Sequence, residues 1–433
     1  MSNNSKRNQK LKDINYIIKL LGRKRYPIIT EMTSTEISNK SNWKPYNPPI
    51  KDTYTSLTTV SQDEFHKVLS DEYSQIENMK FYKDIHVDYL NVALNSKYPS
   101  GFKSLDANHT WMIYWLVNSL VLLKSEITKD TKVLVRDKIE SCIIDDGIHG
   151  ISGGRNQIGH VASAYAAILS LILIEEYELL NRIKDNLYNW FMSLKTDYGF
   201  RMHEHGESDT RSIYCVLIIS TLLNIKTEEL MSGVIENLKC CQTFEGGFGN
   251  VENCEAHGGY TYCGIASFLI LLKSKNAVKH SINFDSLLYW SVSRQGNYEG
   301  GFNGRTNKLV DSCYSFWIGG TIPILESIEE NKLFQNDGLK NYILTCCQND
   351  INGGFIDKPG RKVDFYHTNY ALSGLSIIEN EYVLNENESD DCLAFGFDVS
   401  DGLNELDIGC IHPVFAIPIE KVNECKEFFY GND

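Results

Sequence analysis

The amino-acid sequence predicts an all-α fold, because a long repeat and a helical spacing of apolar residues together account for most of the chain. A Gly-Phe pair recurs at separations of 48, 54 and 53 residues, with its glycine at Gly199, Gly247, Gly301 and Gly354. Nine positions after each Phe, a polar residue precedes an apolar run; these residues are Asp209, His257, Asp311 and Asp364. A near-fixed period of this length is typical of repeat architectures.

Apolar residues at i, i+3 and i+4 spacing fall into twelve helical runs, which form six pairs. The runs begin near Thr110, Asp130, His160, Tyr177, Asp209, Thr227, His257, Asn283, Asp311, Leu333, Asp364 and Pro413. The first run of each pair is the more apolar, and the second carries the charges. We therefore expect inner helices buried on both sides and outer helices that face water, which together predict an α/α toroid, a six-pair helical barrel.

We divide the chain into a polar N-terminal arm, residues 1–75, and a toroid domain, residues 76–433. The arm is rich in Asn, Ser, Lys and Thr, so we expect residues 1–12 to be disordered and the remainder to be extended or partly helical. An acidic insertion at about residues 385–401 is interpreted as a surface loop before the last outer helix. The first glycine pair departs from the repeat, because Arg155 follows it instead of an aromatic residue.

The composition indicates an acidic globular protein. Its 433 residues are enough for a large core, and 42% of them are hydrophobic. The net charge of -14 argues against nucleic acid as the main partner. We find no signal peptide and no apolar stretch long enough for a bilayer, so we expect no stable membrane insertion and a cytoplasmic location. The twelve cysteines are expected to be reduced thiols, mostly buried in helices.

The repeat geometry places the first turns of the inner helices around one mouth of the toroid. Asp311 and Cys313 from one repeat, and His367 from the next, offer oxygen, sulfur and nitrogen donors. This donor set suits Zn²⁺, and three protein ligands leave a fourth position open, as in catalytic zinc sites. The alternative is structural: Asp is a preferred N-cap, Cys313 is then a core residue, and His367 a polar residue with ordinary hydrogen bonds.

Two further groups of residues share this mouth and the bore behind it. Arg305 and Lys308 precede Asp311, and with His257 and Tyr314 they provide cations and donors that can hold a diphosphate. The alternative for the two cations is a solvated basic loop. The inner helices carry the aromatic residues Trp111, Trp115, Tyr165, Tyr214, Tyr260, Tyr262, Phe316, Trp317 and Tyr370. An aromatic bore suits an isoprenoid or another apolar ligand, and the alternative is ordinary core packing.

Around these residues the sequence resembles the protein prenyltransferase β subunits, and among them those of protein farnesyltransferases. The stretches that carry the resemblance are EGGFGNVENCEAHGGYTYCG, EGGFNGRTNKLVDSCYSFW and GGFIDKPGRKVDFYHTNYALSGLS. Weaker support comes from SLDANHTWMIYW, SDTRSIYC and HPVFAIPIEKV. The likeness extends from about residue 80 to the end, and residues 1–75 carry none of it.

The resemblance implies a zinc-dependent enzyme that transfers farnesyl from farnesyl diphosphate to the cysteine thiol of C-terminal CaaX proteins. It also implies an obligate heterodimer with a helical α subunit, and a dependence on Mg²⁺. In the family pattern, Asp311, Cys313 and His367 match the zinc ligands. Asp357 matches the carboxylate associated with Mg²⁺.

The other matched positions surround the two substrates. The diphosphate set is His257, Arg305, Lys308 and Tyr314, and Tyr314 joins the three zinc ligands as a catalytic residue. The farnesyl-pocket wall is Trp111, Tyr214, Tyr260, Cys263 and Trp317, with Tyr370 limiting its length. The positions near the CaaX peptide are Trp115, Arg211 and Tyr366. Asn369 departs from the family pattern, which often has a small apolar residue or Cys there.

Three alternatives lead to different functions. The β subunit of geranylgeranyltransferase type I shares the zinc and diphosphate residues, but large Trp111 and Tyr370 favour a shorter lipid, and a Lys is expected there in place of Asp357. A terpene cyclase needs an acidic motif in the bore, whereas the acidic pair Asp390-Asp391 lies in the insertion. A non-catalytic toroidal scaffold predicts no stoichiometric metal and no effect of Cys313→Ala beyond stability.

Overall fold

The computed structural model describes residues 53–74, 79–96, 100–144, 146, 150–387, 392–403 and 405–431. The predictions for residues 1–52 of the arm, and for the acidic pair at 390–391, lie outside these residues. Helices dominate the described chain, and the strands form two small two-stranded sheets. None of the described helices combines the length and the apolar composition that crossing a bilayer requires.

Six apolar helical segments form the inner wall. They are α3 (His109–Leu122), α5 (Val161–Leu173), α7 (Thr210–Leu222), α10 (Gly258–Leu271), α13 (Tyr314–Trp317) with α14 (Thr321–Glu329), and α16 (Phe365–Glu379). Each inner segment packs against the next, and α16 packs against α3, so the ring closes. Of the thirteen residues of α5, twelve are buried, as the predicted position between two inner neighbours requires.

Five outer positions follow the predicted alternation. Their helices are α4 (Lys129–Glu140), α6 (Tyr177–Leu194), α8 (Glu228–Met231) with α9 (Val234–Cys241), α11 (Lys275–Ser281) with α12 (Phe284–Val292), and α15 (Asn336–Asn341) with a π-helical turn (Tyr342–Cys347). The four Phe residues of the repeat are fully buried, and each pairs in an antiparallel bridge with the end of the preceding outer helix. Gly246, at φ +110°, lies so close to Ser286 that a side chain would collide with its carbonyl.

The sixth outer position belongs to the N-terminal helix α2 (Lys83–Asn95), so the prediction of an outer helix beginning near Pro413 was wrong. Ile85 and Tyr89 of α2 lie against the glycine pair at Gly353, just as outer helices cover the earlier pairs. The ring of His86 stacks on Phe355 at 4.5 Å. The chain therefore closes its outer layer with a segment that precedes the first inner helix, because closing a ring requires its two ends to meet.

The C-terminal segment closes the end of the bore opposite the mouth. Helix α17 (Ile419–Tyr430) begins six residues after the predicted position and packs on α5 and α7. Residues 411–418 extend into the bore, where the Tyr114 hydroxyl donates to the carbonyl of Ala416 at 2.6 Å. The hydroxyls of Tyr214 and Tyr262 donate to the carbonyl of Val414 at 2.9 and 3.0 Å. The bore is consequently a pocket with a floor.

The acidic insertion is more structured than predicted. Strand β3 (Asn380–Leu384) pairs antiparallel with β4 (Phe397–Gly402), and a 3₁₀ turn, Leu393–Gly396, lies buried between them. The other two strands, β1 (Phe355–Ile356) and β2 (Val363–Asp364), form a short hairpin before α16. The surface-loop prediction was therefore wrong for residues 392–402, whose apolar side chains the charged neighbours obscured in the sequence.

Helix α1 (Leu57–Ser74) lies within the predicted arm and agrees with its partly helical character; the boundary after residue 75 stays a prediction. The helix packs against the π-helical turn and buries Phe65 and Leu69. His66 Nε2 lies 3.1 Å from a carboxylate oxygen of Glu299, and the Tyr73 hydroxyl donates to the carbonyl of Glu299 at 2.6 Å. A 3₁₀ helix, Ser100–Asn108, connects this region to α3.

We expect His86→Ala to destabilise the protein by about 2 to 4 kcal/mol, because it opens the outer layer at the α2 position. The buried imidazole accepts from the N–H of Gly354 at 2.9 Å, and its other nitrogen lies 2.9 Å from Gln348 Oε1. Chemical denaturation of the purified protein measures the loss. His280→Ala, on the exposed face of α11, serves as the control; equal stability of the two variants would show that α2 does not close the layer.

Candidate active site at the mouth of the barrel

The mouth of the barrel is the end at which the inner helices begin. There the predicted repeat residues accept backbone N–H groups of the first turn through their side chains; they are Asp209, His257, Asp311 and Asp364. The N-cap interpretation is therefore confirmed for Asp209 and Asp364, whereas Asp311 lies two residues before Cys313, the N-cap of α13. These side chains also contact other partners: Asp311 Oδ1, which accepts the N–H of Cys313, faces His367 as well, and the second ring nitrogen of His257 faces Tyr314.

Three of the predicted donors converge at this mouth. The carboxylate of Asp311, the sulfur of Cys313 and the imidazole of His367 each offer one atom, and these atoms all lie within 4.8 Å of one another. Asp311 Oδ1 is 3.3 Å from His367 Nε2. Ligand atoms of a tetrahedral Zn²⁺ are about 3.5 Å apart, so the set fits the ion with a shift of about 1 Å. Its mixed oxygen, sulfur and nitrogen chemistry also suits zinc.

Asp364 orients the imidazole of this donor set. Its Oδ2 lies 2.7 Å from His367 Nδ1, and its Oδ1 accepts the backbone N–H of His367 at 2.8 Å. Nδ1 of His367 is thereby held by Asp364, and Nε2 faces Asp311. Carboxylates commonly fix metal-binding histidines in this way. We predicted Asp364 only as a repeat residue, although its Asp-x-x-His spacing was a signal for this second role.

The same hydrogen bonds determine the charges of the donors. Burial raises the pKa of Asp311, but the hydrogen bond and charge of His367, together with the N–H of Cys313 and the charge of Lys358, lower this pKa to about 2. Burial lowers the pKa of His367, whereas its hydrogen bonds to Asp311 and Asp364 raise it to about 9. Burial, reinforced by the charge of Asp311, raises the pKa of the Cys313 thiol. The positive charge of the His367 imidazolium thus compensates the carboxylate of Asp311, as a bound cation would.

Close helix packing brings the two repeats of the donor set together. Gly374 of α16 lies so near Ser315 of α13 that an added Cβ would be 2.3 Å from the Ser315 Cβ. Any side chain at Gly374 would therefore separate the helices. His367 is two turns before Gly374, and Cys313 is two residues before Ser315, so this approach sets their separation.

Asp357 lies beside the donor set, as the family pattern implies. Burial and the neighbouring charge of Asp311 raise the pKa of its carboxyl group. Its backbone carbonyl accepts the N–H of Ser312 at 2.9 Å, which ties this segment to the donor loop. The carboxylate contacts Lys358, and Arg361 Nε is 3.8 Å away. A divalent cation at this position would have to displace Lys358.

The residues predicted to bind the diphosphate lie around Tyr314, which directly follows Cys313 in the chain. The hydroxyl of Tyr314 is 2.9 Å from His257 Nε2, and Arg305 is bound to Glu255 with an N–O distance of 3.0 Å. Burial lowers the pKa of His257, and the charge of Arg305 lowers it further, so the imidazole is neutral at pH 7. Lys308 is exposed in the same loop.

A glycine allows this loop to approach Tyr314. An added Cβ on Gly304 would lie 1.9 Å from Cζ of the Tyr314 ring, so the loop could not reach its place with any side chain there. The carbonyl of Gly304 also accepts the N–H of Gly258 at 2.8 Å, next to His257. The two loops that carry the set are therefore directly joined.

Eight aromatic rings form a closed circuit around the bore, with neighbouring centroids 4.4 to 5.7 Å apart. In order they are Trp111, Tyr165, Tyr214, Tyr262, Trp317, Tyr370, Tyr366 and Trp115. The three Trp residues and Tyr366 are partly exposed, whereas the other four rings are buried. The exposed rings line the accessible pocket, and the buried tyrosines contribute to its deeper wall.

Several predicted residues lie at the mouth and not in this circuit. Tyr260 lies between Arg211, whose guanidinium is 5.8 Å from its ring, and His257, whose ring is 5.2 Å away. Cys263 is buried on the same helix. Tyr165 and Tyr262 belong to the circuit, although the family pattern did not assign them a role. In the sequence, the signal for including these two residues was their position on buried inner helices.

The residues predicted near the peptide are held by polar contacts. Arg211 binds Asp209 at 2.5 Å and approaches Glu207 at 3.5 Å. The indole N–H of Trp317 donates to the hydroxyl of Tyr366 at 2.9 Å, and Trp115 contacts the ring of Tyr366.

Asn369, which departs from the family pattern, forms a hydrogen bond between two inner helices. Its side-chain oxygen accepts from Asn118 at 2.9 Å across the seam between α3 and α16.

Comparison with known proteins agrees with this architecture. Residues 81–417 match the family model of the prenyltransferase alpha-alpha toroid domain. A solved structure, Candida albicans protein geranylgeranyltransferase-I complexed with GGPP, is similar with a TM-score of 0.64 and 23% sequence identity. The similarity covers 81% of this chain and 99% of that chain, and it supports the fold alone.

Curated relatives are more similar in sequence. The chain is 41% identical over 420 residues to protein farnesyltransferase subunit beta of Saccharomyces cerevisiae, covering 95% of each protein. It is 35% identical to the protein of the same name from Pyricularia oryzae, covering 89% of this chain and 83% of the relative. Identity to geranylgeranyl transferase type-1 subunit beta of Arabidopsis thaliana is 28%, covering 70% and 86%. The chain therefore belongs to the protein farnesyltransferase β-subunit family of α/α-toroid prenyltransferases.

Proposed function

We propose that this chain is the substrate-binding β subunit of a cytoplasmic, zinc-dependent protein farnesyltransferase that works as a heterodimer with a helical α subunit. The reaction transfers farnesyl from farnesyl diphosphate to the cysteine thiol of C-terminal CaaX proteins. The observation that carries the proposal is the convergence of Asp311, Cys313 and His367 within 4.8 Å, between the Tyr314–His257 pair and the aromatic pocket. The greater identity to farnesyltransferase than to geranylgeranyltransferase subunits supports the choice of lipid.

The thiol acceptor binds at the three-donor site. A Zn²⁺ held there would lower the pKa of the peptide thiol, which is ordinarily about 8.5, so that the sulfur is a nucleophile at neutral pH. Asp364 keeps the His367 ring in its donor orientation through the 2.7 Å contact. Because Cys313 is buried, its own sulfur is directed to the site and shielded from competing reactions.

In the transfer, the sulfur forms a bond to C1 of the farnesyl chain, and the bond between C1 and the diphosphate oxygen breaks. The thiol proton is lost, and the diphosphate leaves with the electron pair. Negative charge therefore grows on the diphosphate, where stabilisation accelerates the reaction most. Arg305 supplies a cation for this charge once the ligand replaces its partner Glu255. Lys308 supplies a second cation from the exposed part of the loop.

The tautomer of His257 prepares Tyr314 as a donor. Nδ1 of His257 accepts the backbone N–H of Gly259, so in the neutral ring the proton is on Nε2. That N–H donates to the Tyr314 oxygen at 2.9 Å. The hydroxyl hydrogen of Tyr314 is then free to point to the leaving diphosphate oxygen. The hydrogen bond from the Gly259 backbone thus decides that His257 donates to Tyr314, which leaves the Tyr314 hydroxyl to donate at the reacting end of the lipid.

The aromatic circuit provides the site for the farnesyl chain. Trp111, Tyr214 and Trp317 form an apolar wall, and the segment 411–418 closes its far end. Tyr370 packs against Trp317 at 4.4 Å and fills space that a longer lipid would need. The peptide lies across Trp115, Arg211 and Tyr366 at the open end. Tyr260 and Cys263 border the lipid near the mouth.

A lipid competition assay tests the proposed function. Purified heterodimer, a CaaX peptide and equimolar C15 and C20 diphosphates should give mostly the C15 product, because a fixed floor excludes the longer chain. Trp111→Ala should shift the product ratio towards C20, whereas Tyr54→Ala, at an exposed position in the N-terminal segment, should leave the ratio unchanged. A strong wild-type preference for the C20 donor would contradict the farnesyl assignment.

We expect Cys313→Ala to lose bound zinc and to reduce transfer by at least about a hundredfold, since loss of one ligand of three destroys the site. Metal analysis of the purified heterodimer and a transfer assay measure the two effects. Cys425→Ala removes an equally buried thiol from α17 and should retain both zinc and activity. Retention of both zinc and activity by Cys313→Ala would refute the metal assignment, whereas absence of stoichiometric zinc from the wild-type heterodimer would favour a non-catalytic scaffold.

Asp357 is proposed to hold Mg²⁺ beside the diphosphate. Asp357→Asn should raise the Mg²⁺ concentration that gives half-maximal transfer by about tenfold, because one negatively charged ligand is lost. Asp350→Asn, in the preceding loop, is the control. A magnesium titration identical to that of the wild-type heterodimer would remove Asp357 from the mechanism.

A further inference from the structure

One buried position differs between the repeats. In five repeats an antiparallel bridge follows the outer helix, and the residue just before the bridge is buried; these residues are Cys142, Leu194, Cys241, Arg294 and Cys347. Four are small or apolar, which shows that packing at this place needs no charge. Arg294 is only 7% exposed, and burial of a cation costs several kcal/mol unless it gains partners. Its repeat is also the one whose loop carries Arg305 and Lys308.

The guanidinium of Arg294 is held from two sides. Its Nε donates to the carbonyl of Trp290 at 3.3 Å, and its centre lies 4.9 Å from the Trp290 ring. Its Nη1 donates to Thr306 Oγ1 at 3.2 Å. Thr306 directly follows Arg305, so a buried, stacked cation supports the loop that presents the exposed one.

Thr306 continues this network to the second loop of the site. Its hydroxyl donates to Glu245 Oε2 at 3.2 Å, and Glu245 Oε1 accepts the backbone N–H of Ala256 at 3.3 Å. Ala256 directly precedes His257. The chain Arg294–Thr306–Glu245–Ala256 therefore links the loop of Arg305 to the loop of His257.

We propose that Arg294 is a positioning residue for the diphosphate, which acts through Thr306 and Glu245 to hold the Arg305 and His257 loops in their binding arrangement. This inference rests on the proposed function. It explains why a charge occupies a position that cysteine and leucine fill in the other repeats. It also explains why Thr306, although exposed, faces a buried donor.

The test measures binding of inorganic diphosphate and of farnesyl diphosphate to the purified heterodimer. Thr306→Val removes the hydroxyl from an exposed loop without a change in volume, and Thr306→Ser retains it. Arg294→Met removes the donors and keeps the side-chain length. We expect Thr306→Val and Arg294→Met each to weaken both ligands about tenfold, with the peptide KM and zinc content unchanged, and Thr306→Ser to bind as the wild type does.

The double variant Arg294→Met, Thr306→Val should bind no more weakly than Arg294→Met alone, because the two residues act in series. Cys241→Ala, at the equivalent position of the preceding repeat, is the packing control and should bind both ligands normally. Unchanged binding in Arg294→Met, or a fully additive double variant, would overturn the inference. A wild-type heterodimer that binds no farnesyl diphosphate would instead refute the proposed function.

Discussion

The close approach of α13 and α16 is the contact on which the site depends. Gly374 permits it, because the space of its missing side chain is filled by Ser315. The approach brings donors from two repeats to within 4.8 Å, although more than fifty residues separate Cys313 from His367 in the chain. A rigid ring of buried helices can hold such a set more accurately than loops can, since every inner helix is fixed by two neighbours.

The charges at the mouth are balanced by partners that a ligand can replace. His367 pairs with Asp311, Arg305 pairs with Glu255, and Lys358 contacts Asp357. The His367–Asp311 and Lys358–Asp357 pairs are largely buried, so their charges need partners in the free protein as well, whereas the Arg305–Glu255 pair is exposed. In the proposed function, binding of a metal or a diphosphate would exchange one charged partner for another, so the buried charges would be compensated before and after binding.

The repeat explains how one architecture supports several roles. In four repeats the residue nine positions after Phe accepts a backbone N–H through its side chain, yet Asp311 also faces His367, Asp364 orients the His367 ring, and His257 contacts Tyr314. The position before the bridge behaves in the same way, since Arg294 alone carries a charge among its counterparts. The candidate site residues thus lie at positions that the repeat also uses for folding.

The sequence by itself determined the inner helices, the repeat and the three donors, because helical spacing and capping are local properties. Only the tertiary structure decided that α2 fills the sixth outer place, that 411–418 closes the bore, and that Leu393–Gly396 packs on α10 while β4 pairs with β3. These features depend on which distant surfaces meet when a ring closes. The link through Arg294 likewise required atomic distances, since a buried arginine has no local pattern that names its partners, whereas the Asp-x-x-His spacing already indicated the link from Asp364 to His367.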